Sequence, residues 1–241
     1  MSATYDPALE SRALQSLGQS SAAIYAAAVD ALRNGAVLRN GAVLRNGAVL
    51  RGVVVDVGCG TGRLNTLLGD LATSYMGVDA VRYDGFPATA LFLAADLNRD
   101  AIPVADGSAD ITVSLETIEH LENPRALCRE LVRITRPGGW LLVTTPNQRS
   151  LVSLGALLLK EHFSAFRDSN YPAHQTALLD TDLRRIAAEN GLLDISITFT
   201  GAGRIPLTGA CYPSWLSRAF PRALSDNVLL LARKPPTRPN R

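Results

Sequence analysis

The residues best suited to chemistry lie in the segment Val53–Arg63, which reads Val-Val-Val-Asp-Val-Gly-Cys-Gly-Thr-Gly-Arg. Its unbroken run of valines is typical of a strand that is buried on both faces of a parallel sheet. Three glycines spaced two apart (Gly58, Gly60 and Gly62) would then allow a tight turn and a close approach of a ligand to the backbone. A helix beginning at Arg63 would direct its N-terminal amides at that ligand. A dinucleotide fingerprint would place its third glycine at position 63, so we expect a different ligand.

Two further acids, Asp79 and Asp96, end the predicted second and third strands, 73–80 and 90–96. Asp79 lies 23 residues after Asp56. This is close to the separation at which an acid at the end of the next strand reaches a ribose hydroxyl. The pattern therefore predicts a ligand with a ribose.

A third polar cluster, Glu116-Thr-Ile-Glu119-His120, ends and follows the predicted fourth strand. If the turn there is helical, the two carboxylates and the imidazole share one face, since they occupy positions i, i+3 and i+4. Such a set suits a hard divalent ion. Alternatively, His120 acts alone as a general base, or the cluster is only structural.

The predicted secondary structure would bring these groups together. We predict one strand that begins at Val53 and six further strands at 73–80, 90–96, 111–116, 140–145, 195–199 and 227–233. Helices are predicted at about 22–33, 63–71, 124–135 and 181–190. Strands that alternate with helices predict right-handed βαβ units and a doubly wound, mostly parallel α/β sheet of the Rossmann-like class. In such sheets the ligand site lies beyond the carboxyl ends of the strands, where the acids and glycines collect.

The chain divides into an N-terminal helical lead-in (1–52), one α/β domain (53–234) and a disordered tail (235–241). Within the lead-in, the hexapeptide Leu-Arg-Asn-Gly-Ala-Val recurs over residues 32–52. We predict that two copies loop out ahead of the sheet, because loop insertions cost little free energy. Two irregular inserts in the domain, 147–179 and 201–225, are expected to form the substrate side of the site.

Composition narrows the possible environments and partners. The 241 residues are 47% hydrophobic and 19% charged, which is typical of a globular protein, and the net charge is +2. That charge gives no electrostatic reason to expect DNA or RNA as a partner. The three cysteines form no metal-type pair, so we expect reduced thiols in a cytoplasmic protein. We expect no signal peptide and no transmembrane segment, since the apolar stretch Leu151–Leu159 is about half as long as a bilayer span. The oligomeric state stays open.

The glycine segment and four further motifs together resemble the class I S-adenosylmethionine-dependent methyltransferases. The motifs are Asp56–Gly62, Gly77–Asp79, Ala95–Asp96, Asp106–Asp110 and Arg136–Gly139. The resemblance implies seven strands, with the last one antiparallel and inserted next to the fifth. It also implies S-adenosyl-L-methionine as the cofactor, with its methionine portion at the glycines, its ribose at Asp79 and its adenine at Asp96. The implied cofactor-binding residues are Asp56, Gly58, Cys59, Gly60, Gly62, Asp79, Ala80, Asp96, Leu97 and Leu115.

The pentad Glu116–His120 is similar to one in the small-RNA 2′-O-methyltransferases and in some quinone-precursor O-methyltransferases, where it binds Mg²⁺. A further histidine there comes from the segment after the fifth strand, and His174 or His162 would supply it here. The resemblance thus implies Glu116, Glu119, His120 and His174 as catalytic residues. It leaves a Mg²⁺ site and a metal-free His120 base open. We favour the metal-free base, because the sequence does not predict the course of the segment that carries the fourth ligand.

These expectations combine into a methyltransferase that acts on oxygen of a hydroxylated small molecule or sugar. A sulfonium is already electrophilic, so the protein must align the acceptor, exclude water and help the hydroxyl lose its proton. Two alternatives stay open: a metal-assisted RNA 2′-O-methyltransferase, which would need salt-sensitive RNA binding, and a catalytically silent cofactor-binding subunit. The two inserts carry no motif that identifies the acceptor.

Overall fold

A seven-stranded sheet forms the centre of the protein, in a computed structural model that describes residues 18–34, 51–206, 208 and 210–237. Its strands are β1 Gly52–Val57, β2 Ala72–Asp79, β3 Leu91–Ala94, β4 Ala109–Ser114, β5 Thr135–Pro146, β6 Leu193–Phe199 and β7 Asn227–Arg233. Their order across the sheet is β3-β2-β1-β4-β5-β7-β6. Strands β1 to β5 pair in parallel, whereas β7 pairs antiparallel with both β5 and β6. The predicted fold class is confirmed, including the antiparallel last strand next to the fifth.

Helices cover both faces of the sheet. They are α1 Ala22–Asn34, α2 Arg63–Leu68, α3 Pro124–Ile134, α4 Leu151–Lys160, α5 Asp180–Glu189 and α6 Ser214–Ala219. Leucines of α3 and α5 pack with Val55 and Val57 on one face, and residues of α1 and α2 pack with Val54 on the other. Because side chains alternate along β1, its unbroken valines serve both apolar layers.

Local sequence signals account for helix α3. The Asn123 side chain accepts a hydrogen bond from the Ala126 amide at 3.0 Å, and Pro124 occupies the first helical turn. An asparagine cap satisfies an amide that has no partner within the helix, and proline there loses no hydrogen bond. The start of this helix is therefore as predicted.

Several boundaries differ from the prediction. The helix after the glycine segment ends at Leu68 and continues only as a 3₁₀ turn, Gly69–Leu71, because Gly69 takes a φ of 57°. Strand β3 is shorter than predicted, and β5 begins earlier, at Thr135. Thr135 pairs with Ala109, and the ladder then shifts register before Ile111 meets Trp140. Residues 136–139, which precede the predicted strand 140–145, thus form a bulge within β5.

Some predictions fall on residues outside the described part of the chain. They concern residues 1–17 of the N-terminal lead-in, residues 35–50 with the repeats, and residues 238–241 of the tail. Within the described ranges, no helix is long and apolar enough to cross a membrane.

Candidate active site

The glycine segment turns directly after β1 and is held against β2. The amides of Gly58 and Cys59 donate to the Val78 carbonyl at 2.8 and 3.2 Å. Gly58 has a φ of 77°, and a Cβ there would lie 2.0 Å from Thr117 Oγ1. Gly60 has a φ of 51°, and a Cβ there would lie 2.1 Å from the Gly18 carbonyl oxygen. Both positions require glycine for conformation and for space.

Asp79, at the end of β2, closes this loop from the other side. Its Oδ2 accepts from the Gly60 amide at 2.8 Å, and its Oδ1 accepts from the Ala80 amide at 2.7 Å. Burial raises the pKa of this carboxyl, and the backbone hydrogen bonds oppose that rise. Asp96 follows β3 and accepts from the Asn98 amide at 3.0 Å. The two predicted acids therefore lie on neighbouring strand ends.

Asp56 lies at the carboxyl end of β1, with only 3% of its surface exposed. The Tyr75 hydroxyl donates to Asp56 Oδ2 at 2.6 Å. Burial raises the pKa of Asp56 to about 7, Asp79 adds to that rise, and the Tyr75 hydrogen bond opposes it. The site thus contains a carboxyl that loses its proton near neutral pH.

A cavity of about 430 Å³ lies between the glycine segment and the pentad. It is lined by Gly18–Ser21, Ile24, Tyr25, Asp56, Gly58, Cys59, Gly60, Asp79, Ala80, Tyr83, Asp96–Asn98, Leu115–Thr117, Glu119–Leu121, Ser169, Asn170, Ala173 and His174. Five of these residues are acids, and none of the described lining residues is Lys or Arg. Carboxyl groups without a neighbouring cation favour a ligand that donates hydrogen bonds or carries positive charge. Of the predicted site residues, only Gly62 is missing from the lining.

The pentad does not form the predicted helical face. Glu116 takes a left-handed φ of 49°, and helical geometry begins only with the 3₁₀ turn Ile118–His120. Asn227 Nδ2 donates to Glu116 Oε2 at 2.6 Å, and Thr145 Oγ1 donates to the fully buried Glu119 at 3.1 Å. These contacts from β7 and β5 hold the two carboxyls, and both residues line the cavity.

Two histidines meet beside Glu119. The rings of His120 and His174 lie edge to face, with centroids 4.7 Å apart. One ligand atom each from Glu119, His120 and His174 lie within 4.8 Å of one another. His162, the alternative to His174, does not line the cavity, and its Nδ1 lies 3.1 Å from the Phe163 carbonyl oxygen. The structure therefore brings His174, and not His162, next to His120 and Glu119.

The irregular segment that carries His174 is bound to the pentad backbone. The amides of Gln175 and Thr176 donate to the Glu119 carbonyl at 2.9 and 3.0 Å. His120 Nδ1 lies 2.8 Å from the Ala173 carbonyl oxygen, and because a carbonyl only accepts, this nitrogen carries the proton. The lone pair of the neutral ring is therefore on Nε2.

Burial controls the charges of this cluster. It raises the pKa of Glu116 to about 7 and also raises the pKa of Glu119, which lies beside the Glu116 carboxyl. It lowers the pKa of His120 to about 4, with a further contribution from His174, whose own pKa burial lowers as well. Glu116 Oε1, Glu119 Oε1 and His174 Nδ1 are buried without a hydrogen-bond partner in the described structure. Unpartnered buried polar atoms are costly, so this arrangement favours a ligand that pairs with them.

Sequence reasoning missed several residues that contribute to the site. Tyr75 resembles any other buried strand residue, and Asn227 and Thr145 lie far along the chain from the acids they contact. The segment Gly18–Ser21 lines the cavity ahead of α1, and the Gly18 carbonyl accepts from the Thr61 amide at 2.9 Å. The excess of polar residues in Gln19-Ser-Ser21, directly before an apolar helix, was the available signal.

Comparison with known sequences agrees with this geometry. A family model described as "Methyltransferase domain" matches residues 30–197. A probable S-adenosylmethionine-dependent methyltransferase of Mycolicibacterium smegmatis is 29% identical over 179 residues, which are 72% of this chain and 65% of that protein. A ubiquinone biosynthesis O-methyltransferase of Idiomarina loihiensis is 27% identical over 152 residues, 60% of this chain and 63% of that protein. The chain therefore matches less than two thirds of the length of either relative.

Comparison with solved structures gives the same fold. A SAM-dependent methyltransferase of Thermotoga maritima, described as a possible histamine N-methyltransferase, superposes with a TM-score of 0.58 at 17% identity. The superposition covers 87% of this chain and 89% of that chain.

Proposed function

The chain belongs to the S-adenosylmethionine-dependent methyltransferases of the methyltransferase domain family, and from this premise we propose that it methylates an oxygen atom of a hydroxylated small molecule or sugar. The observation that carries this proposal is the cluster of buried Glu119 with half-buried His120 and His174, in the same cavity as the glycine segment. A hydroxyl is a weak nucleophile until it loses its proton, and such a cluster can remove that proton or lower the hydroxyl pKa.

The cavity fits the cofactor in size and in charge. Its volume of about 430 Å³ is in the usual range for ligand pockets, and its five acids suit a molecule that carries a sulfonium and an ammonium. When bound, the cofactor supplies an electrophilic methyl group. In the proposed arrangement Asp56 and the glycine amides hold the methionine portion, Asp79 accepts from the ribose hydroxyls, and Asp96 accepts from the adenine amino group.

His120 is the proposed proton acceptor in the absence of a metal. Its pKa of about 4 keeps the ring neutral at pH 7, and the Nδ1 contact with Ala173 leaves Nε2 able to accept a proton. The neighbouring Glu119 carboxyl and the His174 ring would orient the acceptor hydroxyl beside it. The same contacts that fix the ring orientation would fix the direction of attack on the methyl group.

The cluster also fits a divalent cation. Glu119, His120 and His174 would hold it, with Glu116 adjacent, since each offers a ligand atom and two of these residues have unpartnered buried atoms. Such an ion would lower the pKa of a hydroxyl bound to it. From the sequence, the metal-free base was favoured because the course of the segment that carries the further histidine was unknown. His174 lies beside the pentad, so that reason no longer applies.

The charge of the cavity limits the acceptor class. A phosphorylated acceptor or an RNA strand would bring negative charge to a lining that, over the described residues, offers no Lys or Arg to pair with it. A negative charge that leaves water without such a partner is costly. We therefore propose an uncharged or cationic acceptor with a free hydroxyl, and not an RNA.

The test combines the purified protein and methyl-labelled cofactor with uncharged phenols, catechols and sugars, and with phosphorylated analogues of the same molecules. We expect transfer to oxygen of an uncharged acceptor, identified by mass spectrometry of the product. His120→Ala should lower the rate of transfer by at least about 10²-fold, whereas the matched variant His162→Ala should not, since His162 lies outside the cavity. Methylation of nitrogen, carbon or sulfur only would refute the proposal, as would equal activity of both variants.

A chelator distinguishes the two modes of activation. Loss of activity on chelation, recovery with Mg²⁺ or Mn²⁺ and equal damage from Glu119→Ala and His120→Ala would establish the metal mode, because loss of either ligand empties the site. Activity that is indifferent to chelation, with a loss of about 10²–10⁴-fold in His120→Ala alone, would establish the base.

A further inference from the structure

The Asp56 carboxyl lies beside apolar groups at the end of β1. Gly77, which pairs with Asp56 in the ladder of β1 and β2, has no side chain, and a Cβ there would lie 2.6 Å from the Phe86 ring and 2.7 Å from Cys59 Sγ. The ring and the thiol therefore fill the position next to the carboxyl on this face of the sheet. A buried carboxylate in such surroundings is costly unless a donor or a positive charge pairs with it.

Tyr75 supplies a donor to this carboxyl. It pairs with Val54 in the parallel ladder, so its side chain leaves the same face of the sheet as that of Asp56, two residues further along β1. Its ring is buried beside Phe86, with the ring centroids 6.4 Å apart. The hydroxyl of this packed ring donates to Asp56 Oδ2 at 2.6 Å. A bond of this length from a hydroxyl to a carboxylate is among the strong ones, and it fixes the orientation of the carboxyl.

The charges around Asp56 suit a cationic group of the ligand. Burial raises the pKa of Asp56, and the like charge of Asp79 adds to the rise, whereas the Tyr75 hydrogen bond opposes it because it stabilises the ionised form. None of the described lining residues is Lys or Arg. The methionine portion of the cofactor carries an ammonium group, which would supply the positive charge that an ionised Asp56 requires.

We propose that Tyr75 is a positioning residue for the cofactor: its hydroxyl fixes the Asp56 carboxyl toward the ammonium group of the methionine portion, and the pair selects ligands that carry this ammonium. The inference rests on the role proposed above for Asp56. It adds a residue that does not itself line the cavity. Tyr75 thus acts through Asp56 and does not touch the ligand.

A hydrogen bond that only stabilised the fold would behave differently from a positioning one. Its removal would lower the stability and would affect all ligands of the cavity alike, or none of them. Removal of a positioning hydrogen bond weakens only those ligands that carry the ammonium, and it does so only while the carboxyl is present. The two roles can therefore be separated by ligand choice and by a double-variant cycle.

The test is calorimetry of the cofactor-free protein with S-adenosylhomocysteine, which carries the ammonium, and with 5′-methylthioadenosine, which lacks the amino-acid portion. Tyr75→Phe removes only the hydroxyl. We expect this variant to bind S-adenosylhomocysteine about three- to tenfold more weakly, the usual effect of one hydrogen bond, and to bind 5′-methylthioadenosine like the parent. Asp56→Ala should show the same selectivity with a loss at least as large. The double variant should bind S-adenosylhomocysteine no more weakly than Asp56→Ala, because no carboxyl is left to position.

Thr112→Val is the matched control. Thr112 is fully buried in β4, which is the other neighbour of β1, and its hydroxyl lies 2.7 Å from Thr135 Oγ1, outside the cavity lining. This variant also loses a buried hydroxyl hydrogen bond, so it should melt at a lower temperature and yet bind both ligands like the parent. Circular dichroism melting establishes that every variant is folded.

The inference would be overturned by unchanged binding of S-adenosylhomocysteine to Tyr75→Phe, by an equal loss for 5′-methylthioadenosine, or by a further loss in the double variant. Failure of the proposed function gives a different result, since these measurements need no acceptor. A protein that binds both ligands as expected but methylates no oxygen would contradict the proposed function alone. A protein that methylates oxygen while Tyr75→Phe binds like the parent would contradict this inference alone.

Discussion

Replacing Asp56 by asparagine should make the cofactor-free protein more stable at pH 8 than the parent, with a difference that shrinks toward pH 5. Burial raises the pKa of this carboxyl from 3.8 to about 7. Between these values the folded protein retains a proton that the unfolded chain has released, so the free energy of unfolding falls as the pH rises. A shift of about three units corresponds to ~4 kcal/mol. At 3% exposure, solvent screens little of this cost.

Asparagine removes the ionisation and keeps the hydrogen bond. Its side-chain carbonyl can accept from the Tyr75 hydroxyl as Asp56 Oδ2 does at 2.6 Å. The variant should therefore match the parent only below about pH 4 and exceed it by about 4 kcal/mol at pH 8, so that the difference between the two grows by about 2–3 kcal/mol from pH 5 to pH 8. It should also bind S-adenosylmethionine more weakly, because it has lost a negative charge that is proposed to face the methionine portion. Stability and affinity should thus change in opposite directions.

The assay is urea unfolding of both cofactor-free proteins at pH 5, 6, 7 and 8, analysed as the difference between them at each pH. Taking the difference cancels the contribution of other buried acids such as Glu116 and Glu119, which both proteins share. Asp70→Asn is the matched surface control, since its side chain is 72% exposed. A difference for Asp56→Asn that stays constant from pH 5 to pH 8 would refute the reasoning.

Three further changes test other parts of the structure. Asp79→Ala should weaken binding of S-adenosylmethionine and of its demethylated product by about 1.5–3 kcal/mol, because a charge-assisted hydrogen bond is lost. Calorimetry measures both affinities, and unchanged values would contradict the role of Asp79. Gly58→Ala should lower the melting temperature more than Gly85→Ala. Both glycines have a positive φ, but a Cβ at Gly58 would lie 2.0 Å from Thr117, whereas a Cβ at Gly85 would meet nothing within 4 Å. Equal shifts in melting temperature would show that the contact with Thr117 is unimportant. Deleting Leu38–Val49 should leave the melting temperature nearly unchanged, because it rejoins Val37 to the same local sequence, and an unfolded product would show that the repeats are structural.

The sheet could be predicted from the sequence because its strands carry strong local patterns. The valines of β1 are buried on both faces, and the glycines that follow require positive φ, so both signals come from the residues themselves. Asp79 and Asp96 were predicted to meet because parallel strands end at one edge. The order of the strands and the antiparallel β7 rested on family resemblance, since pairing partners leave no local pattern.

The turn after β4 could not be predicted from its own residues. Its spacing suggested one helical face for the two carboxyls and His120, but Glu116 has a left-handed backbone. The contacts that hold it come from Thr144 and Asn227, which are 28 and 111 residues away in the chain. Helical spacing describes only neighbours within a few residues, so it cannot include partners on β5 and β7. Tyr75 was missed for a similar reason, since its hydroxyl has meaning only beside Asp56.

The pentad and the segment that carries His174 hydrogen-bond to each other. The conformation of each therefore depends on the other, and neither follows from its own local sequence pattern. The turn leaves the Glu119 carbonyl without a helical partner, and the amides of Gln175 and Thr176 supply one. Thr176 Oγ1 also donates to the Leu121 carbonyl at 2.6 Å. Buried backbone groups need such partners wherever regular structure is absent. Two irregular segments about 55 residues apart thus complete one hydrogen-bonding set, and the position of His174 beside His120 is a consequence of that pairing.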